Sequence, residues 1–414
     1  MQKSDFFEKA VKILEKGYVC DHCLGRQFAQ LLSGMENRER GRIIRDFLAM
    51  FLDSGDSKTY TEMVDPANFS AYKFRFRDLT GPGEIPDCSI CAGLFDNLDF
   101  YLKKAVKNIK GLEFSNFLVG TKIDRKLLRN EENLWERVGI EWCEPIKAEI
   151  NRLVGKALEK KLRKTVEFNN PEVLVLVNLR KRDIDLEINS LYIYGEYNKH
   201  GKIPQTRWPS GKYKTSVEQI AAKPVLGMTK GKGSKFHGAG REDIDARCLA
   251  WRPFVLEILE PRKRKVRLRR ILAEINRSKK IQVKNLKIVN SNLVEKIKEI
   301  RPEKTYRVIV KTKDELGDLK RLSLLNGKRI YQETPTRVMH RRADRLRKRE
   351  IKDIKWKKLA KKKLELTIRT EAGTYVKEFV SGDKGRTYPS ISETLGTRAQ
   401  VEKLDVLKIH RKKA

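Results

Sequence analysis

The segment Phe236-His237-Gly238-Ala239-Gly240-Arg241-Glu242-Asp243-Ile244-Asp245-Ala246-Arg247 decides how the second half of the chain is read. Glycines followed by alternating acids and arginines suit a tight loop that presents a carboxylate. The apolar run Phe254-Val255-Leu256-Glu257-Ile258 follows as a strand. Carboxylates this close to arginines have two readings. One is surface salt bridging, each pair worth about 0–1 kcal/mol. The other is an ionised nucleophile or base held by an arginine. The residues alone leave both open.

Downstream, Tyr306-Arg307-Val308-Ile309-Val310 reads as a strand, and Leu324, Leu325, Ile330 and Tyr331 frame a turn at Asn326-Gly327. Leu364, Leu366 and Ile368 alternate before a loop that begins at Arg369, and Val401 to Ile409 forms a closing strand. From Arg337 to Lys363, 14 of 27 residues are Lys or Arg against three acids. Such an excursion between two strands suits a loop or hairpin gripping an RNA backbone, with strong salt dependence. The plainer alternative is a solvated basic helix. Pro261 to Arg270 holds seven more basic residues, and Lys230 to Lys235 is a basic loop without the Walker pattern. Upstream, Gln205-Thr206-Arg207-Trp208-Pro209 puts an Arg that can grip phosphate beside a Trp that can stack on a base or serve the core. The half as a whole reads as an α/β domain with many strands and basic insertions.

The chain has 414 residues and a formal charge of +36. Residues 1–200 hold 33 Lys/Arg and 31 Asp/Glu, a net of +2; residues 201–414 hold 58 and 24, a net of +34. A Lys-rich thermophile surface would spread its charge over both halves. The asymmetry instead marks a polyanion as partner and places a domain boundary near residue 200, giving domains 1–200 and 201–414. No apolar run approaches the 18 or so residues of a membrane span, and the N-terminus lacks a signal-peptide core. A soluble, cytoplasmic protein is expected.

In the first half, Phe6, Phe7, Ala10, Val11, Ile13 and Leu14 recur at helical spacing, with Ser4 as cap and Gly17 as stop. Further helices are expected over Gln27–Leu32 and Glu36–Leu52, and most of 101–165 reads as helical, with Pro145 at a helix start. Strands are expected at 172–177, 184–188 and 191–194. Two Cys-x-x-Cys pairs, Cys20/Cys23 and Cys88/Cys91, make a four-thiolate structural zinc site. A redox pair would need a βαβ setting that is not evident, and four thiolates leave no position for a catalytic zinc. Unmetallated core cysteines are the plain alternative. His22 reads as a bystander, and Cys143 and Cys248 as packing residues.

Taken together these residues resemble a known family. Gly240-Arg241-Glu242-Asp243 resembles the nucleophile loop of pseudouridine synthases. Gly373-Thr374-Tyr375-Val376-Lys377 resembles a motif shared with the bacterial TruB family. Cys20 to Arg26, Gln205 to Pro209, Gly240 to Arg247, Arg252 to Ile258, Thr334 to Val338 and Lys377 to Val380 are similar to signatures of the archaeal-type, THUMP-containing tRNA pseudouridine synthases that modify positions 54 and 55. The resemblance covers nearly the whole chain. Two places depart from it: Ser210-Gly211-Lys212-Tyr213 stands where some relatives carry another cysteine pair, and Leu249-Ala250-Trp251 replaces glycine-rich text.

The resemblance implies an N-terminal zinc-bound helical part with a THUMP-like RNA-binding module at about 100–200. It implies a C-terminal catalytic domain on a mixed, mainly antiparallel sheet, and an α/β (α+β) chain overall. Asp243 would be the catalytic aspartate. Tyr306 would stack on the target uracil, Val376 would pack near it, and Leu404 would floor the pocket; all three read as strand residues, and ordinary core positions are the plain alternative. Lys377 would pair with Asp243 and keep it ionised, with Asp245 the second choice of nucleophile. Arg241 would join the substrate contacts, and Arg207, Trp208, Arg341 and Arg342 would contact RNA. The expected partner is the TΨC arm of tRNA, met by a monomer with no protein partner or membrane. Moving the ribose bond from N1 to C5 needs no redox step, ATP or catalytic metal, so no catalytic cofactor is expected. A non-catalytic tRNA-binding protein or chaperone shares the charge pattern but does not require Asp243, Tyr306 and Lys377 together. A zinc-containing DNA regulator would carry its charge beside the cysteines. A thiouridine synthase or methyltransferase would need a nucleotide or S-adenosylmethionine glycine motif, and neither is present.

Overall fold

The computed structural model describes residues 5–54, 58–79 and 81–410. Ser4 and the side chain of Arg341 lie outside the described residues. The chain divides into two compact units, Met1–Asn189 and Ser190–Ala414.

The first unit opens with helix Asp5–Ile13, and Gly17 takes a left-handed φ of +81° in the turn beyond it. The expected helix over Gln27–Leu32 is not formed. A short helix, Asp21–Gly25, starts inside the first cysteine pair and passes into a 3-10 turn at Arg26–Phe28, and Leu32 sits at a φ of +56°. Phe28 is buried in the core from this turn and Leu31 packs against it, whereas Leu32 is 74% exposed. Helix Asn37–Asp53 matches expectation. It meets Asp21–Gly25 backbone to backbone. A Cβ on Gly25 would stand 1.8 Å from the Asn37 carbonyl oxygen, and one on Gly41 would stand 1.9 Å from that of Asp21. Only glycines permit this approach, which fixes the segment carrying Cys20 and Cys23.

Four strands follow: β1 (Asn116–Lys122), β2 (Thr165–Val166), β3 (Val173–Asn178) and β4 (Asp183–Ile188), in the order β2-β1-β3-β4. β1 is parallel to β2 and β3, and β4 is antiparallel to β3. The stretch 101–165 is therefore not all helix. Phe117, Val119 and Thr121 alternate inward along β1, a period-2 signal masked by the helices around it: Leu98–Ile109, Arg125–Val138 and Ile146–Leu162. Asp124 caps Arg125–Val138 by accepting from the Lys126 N–H at 2.8 Å, and Pro145 precedes Ile146–Leu162.

The second unit is built on one ten-stranded sheet. Its strands are β5 (Leu191–Lys199), β6 (Gly233–Gly238), β7 (Arg247–Leu259), β8 (Ile281–Val289), β9 (Glu303–Thr312), β10 (Arg329–Gln332), β11 (Arg347–Ala360), β12 (Lys363–Thr370), β13 (Thr387–Tyr388) and β14 (Ala399–His410). The order is β13-β10-β11-β12-β9-β14-β7-β5-β8, with β6 also on β7. Only β7 with β14 is parallel among the described pairings, so the sheet is mixed and mainly antiparallel. The composition shift near residue 200 falls inside this unit: Leu191-Tyr192-Ile193-Tyr194 belongs to β5, a near-neutral strand at the heart of the basic half. The basic stretch from Arg337 to Lys363 is a 3-10 turn followed by β11, which forms a hairpin with β12. None of it is a basic helix. Among the described residues no helix is long and apolar enough to cross a membrane.

Candidate active site

β7 has one edge filled by β5. Along its other edge Phe254–Leu259 pair with β6, while Arg247 and Cys248 pair with β14. The β6–β7 connection, residues 239–246, starts where β6 leaves that edge and ends where β14 takes it up. It carries Asp243.

A buried charge network holds this loop from behind. The Lys199 ammonium donates to the carbonyls of Asp243 at 2.9 Å and Ile244 at 3.2 Å. Gln205 donates to the Gly240 carbonyl at 3.0 Å, and Arg252 to that of Ala239 at 2.8 Å. Glu242 points inward, with Arg252 Nε at 3.1 Å, Lys199 Nζ at 3.5 Å and the Tyr197 hydroxyl at 3.1 Å. Side chains of Lys199, Glu242 and Arg252 are at most 1% exposed. Burial pulls the Lys199 ammonium below its ordinary range, with Glu242 opposing, and burial aided by Glu242 pushes the Tyr197 phenol well up. Gly240 adopts φ +82°, and a Cβ there would press on Arg252 at 3.1 Å. Removing the Glu242 charge leaves two buried cations facing each other. Glu242→Gln should cost about 3–5 kcal/mol and lower the melting temperature of this unit by about 10 °C. Thermal unfolding followed by circular dichroism checks this; a shift under about 2 °C would show that the network is not held by that charge.

In front of the loop stand two cations. Arg337 donates to Asp243 Oδ1 at 3.1 Å and to Glu378 Oε1 at 2.7 Å. Lys377 lies 3.5 Å from Asp243 Oδ2 and 2.7 Å from both Asp245 oxygens. The expected Lys377–Asp243 pair is therefore present but loose. The ammonium sits on Asp245, and the guanidinium makes the closer contact with Asp243. Burial raises the Asp245 carboxyl, but Lys377 outweighs it and the group rests below its ordinary value. Glu378 and then Asp243 outweigh burial at Arg337 and hold its guanidinium above the usual range. The turn carrying Lys377 is fixed by buried Gln332, which accepts from the Tyr375 N–H at 2.9 Å and donates to the Tyr375 carbonyl at 3.0 Å. Val376 is not in a strand, as the pattern suggested; it begins helix Val376–Ser381 and is buried. Its glycine-led turn breaks the alternation.

Tyr306 on β9 and Leu404 on β14 line the sheet beside this cluster: Leu404 is opposite Val308, and Tyr306 is opposite Val406. Both pack against the core that contains Val376. Burial first, opposed by Arg252 and helped by Cys248 and Asp243, pushes the Tyr306 phenol up to about 12. Asp405, next to Leu404, ties β14 to its neighbours through Arg247 at 2.6 and 2.7 Å and Arg307 at 2.8 Å.

Arg241 and Arg207 are exposed, and Trp208 makes an edge contact with Tyr213 at 5.5 Å. Arg342 donates to the Tyr375 hydroxyl at 2.8 Å. Sequence reasoning singled out neither Arg337, Lys199, Glu242, Arg252 nor Gln332 as a site residue. The Glu378 beside Lys377 was the available hint for a further arginine.

In the first unit the Sγ atoms of Cys20, Cys23, Cys88 and Cys91 all lie within 4.8 Å of one another, and those of Cys20 and Cys91 are 3.7 Å apart. Tetrahedral bonds of about 2.3 Å to zinc would separate the sulfurs by about 3.8 Å. The Cys20 N–H donates to Cys88 Sγ at 3.3 Å, and the other thiols, Cys20 first, hold the Cys88 sulfur well below the ordinary thiol range. The four residues fit a metal ion. His22 stands outside the cluster, bonded to Glu149 at 2.8 Å and stacked on Phe95.

Residues 192–410 match the family model described as Pus10, C-terminal, and residues 101–178 match that of the archaeal Pus10 THUMP domain. The "tRNA pseudouridine synthase Pus10" of Methanothrix thermoacetophila is 40% identical over 430 residues, spanning 98% of this chain and 95% of that protein. The chain belongs to the Pus10 family. The Pus10 protein of Pyrococcus furiosus is 38% identical, with 97% of each chain covered. The solved Cbf5-Nop10-Gar1 complex gives a TM-score of 0.31 at 15% identity, over 52% of this chain and 48% of that one, and is too distant to add to the assignment. Asp243, Tyr306, Arg337, Lys377 and Leu404 all fall within the Pus10 C-terminal match. The C-terminal sheet is thus the pseudouridine-synthase fold of this family, and β1 to β3 fall within its THUMP match.

Proposed function

We propose that this chain, a tRNA pseudouridine synthase of the Pus10 family, acts on uridines 54 and 55 of the TΨC arm with Asp243 as catalytic nucleophile or base. The observation that carries this reading is the Asp243 carboxylate itself. It sits on a loop clamped from behind by Lys199, Gln205 and Arg252 and faced by Arg337 and Lys377. In the reaction the bond from ribose C1′ to N1 breaks and a bond from C1′ to C5 forms. The proton leaves C5 and N1 gains one, so atoms and electrons balance without a cofactor. The carboxylate adds covalently or acts as a base at the sugar. The two cations hold it in place, so it meets the substrate without reorganising.

The uridine must leave its stack, at a cost of a few kcal/mol offset by contacts elsewhere on the RNA. Tyr306 offers its ring to the uracil, with Val376 and Leu404 as apolar walls and Arg241 at the rim. Arg207, Trp208, Arg341 and Arg342 contact the RNA around it. The first unit, up to Asn189, acts as the accessory RNA-binding domain, stiffened by a structural zinc on Cys20, Cys23, Cys88 and Cys91, and the second, from Ser190 on, as the catalytic domain. The protein works as a monomer in the cytoplasm. The test is to incubate the full chain with an unmodified tRNA transcript, no cofactor added, and map pseudouridine chemically. New pseudouridine at 54 and 55 is the expected result. Tight binding without any pseudouridine would leave an RNA-binding module and sink the catalytic reading.

A further inference from the structure

We propose that Tyr388, Tyr331 and Lys348 form a platform on which an unpaired nucleotide of the RNA substrate stacks. The inference rests on the tRNA-modifying reading above and adds a contact outside the Asp243 cluster. Tyr331 on β10 is directly opposite Tyr388 of β13 on one side and Lys348 of β11 on the other. Residues opposite one another share a face of the sheet, so the three side chains form one row across three strands. Their neighbours Ile330, Gln332 and Thr387 turn to the other face and are buried. The row itself is open: Tyr388 is 59% exposed and Tyr331 40%. The Lys348 ammonium lies 5.6 Å from the Tyr331 ring centroid.

Two exposed tyrosines side by side at the edge of a sheet offer a surface for stacking, and the charge around them selects the occupant. Arg329, two residues along β10, shares their face and stands opposite Glu350. Glu350 is held by Lys352 at 2.7 Å and Glu333 by Arg386 at 2.9 Å. Among the described residues no carboxylate is paired with Lys348 or Arg329. Free cations beside exposed rings suit a base together with its phosphate. A duplex hides its base faces, so the ligand is a loop nucleotide rather than a stem. A second copy of the chain, carrying the same +36, fits poorly against this face. β10 also runs on into the segment bearing Arg337, which touches Asp243 at 3.1 Å, so a base held here lies on the strand that leads to the site.

The test measures affinity of the full chain for an unmodified tRNA transcript by fluorescence anisotropy, with pseudouridine formation at saturating RNA. Stacking on one aromatic ring changes affinity by about five- to a hundredfold. Tyr331→Ala and Tyr388→Ala should each weaken binding about tenfold, while Tyr331→Phe and Tyr388→Phe stay near the wild type. Lys348→Met should reduce the slope of log affinity against log salt by about one; this variant carries the test if an alanine variant fails to fold. Unchanged affinity in the alanine variants, or equal losses in the phenylalanine variants, overturns the proposal. So does unchanged RNA affinity with altered sedimentation of the free protein, which would make the face a self-association surface. If the wild type forms no pseudouridine yet Tyr331→Ala still weakens RNA binding, the catalytic reading falls and the platform stands.

Discussion

Asp243→Asn protein should bind tRNA about as tightly as the wild type and form no pseudouridine. The substitution keeps shape and volume. The loop is held through the carbonyls of Ala239, Gly240, Asp243 and Ile244, none of which the change touches. What disappears is the negative charge between Arg337 and Lys377. A neutral amide is a poor nucleophile and a poor base, and it leaves two cations with one fewer counter-charge. Losing a nucleophile that acts with its neighbours as a unit costs at least about a thousandfold in rate. Single-turnover assays with chemical mapping would read this, and anisotropy would establish that binding survives. The discriminating partner is Asp245→Asn. Asp245 is 61% exposed and takes the shorter Lys377 contacts, so its loss should slow the reaction mildly by freeing Lys377. Abolition in Asp245→Asn with activity retained in Asp243→Asn would reverse the two roles.

Metal removal should have the largest effect on stability. Four thiols packed within 4.8 Å of one another, three of them buried, are a poor core without an ion among them. Structural zinc supplies about 10–16 kcal/mol in small domains, against a total stability of about 5–15 kcal/mol for an ordinary domain. Full-length protein should therefore carry one zinc by elemental analysis. A strong chelator, or Cys88→Ser, should abolish the cooperative melting of the first unit and leave a transition from the second. Cys143→Ser is the control: its thiol is buried but lies outside the cluster, so metal content should not change. Protein that purifies without metal and melts identically with chelator would refute a structural ion.

The legible parts of this molecule are those written locally. Two Cys-x-x-Cys pairs announce a cluster whatever separates them, because each pair folds as its own knuckle. Tyr306, Leu366 and Val406 lie in strands whose alternation is visible over a few residues. Gly240 and Gly373 sit at φ +82° and +83°, and both belong to motifs read from the sequence. The opaque parts depend on distance along the chain. Lys199 and Asp243 are 44 positions apart, and Arg337 and Asp243 are 94. Nothing in the local text of a lysine says that it will be buried under a loop carbonyl. β1 was hidden because a seven-residue strand between two helices offers few alternations. Val376 misled because the turn at Gly373 resets the pattern to a helix. The boundary near residue 200 followed charge, whereas the sheet starts with β5, whose burial leaves little charge to count.

The position of β14 has a consequence for biosynthesis. The strands β13-β10-β11-β12-β9 lie on one side of it and β7-β5-β8 with β6 on the other, so among the described residues β14 alone joins the two groups into one sheet. It is also synthesised after every other strand of that sheet. A nascent chain can form both groups of strands on the ribosome, yet the loop bearing Asp243 and the strand bearing Tyr306 come into register only when residues 399–410 have emerged. Until then both open edges are exposed and invite mispairing. A chain truncated within the final strand would hold two half-sheets, with the proposed catalytic loop unjoined to the strand bearing Tyr306.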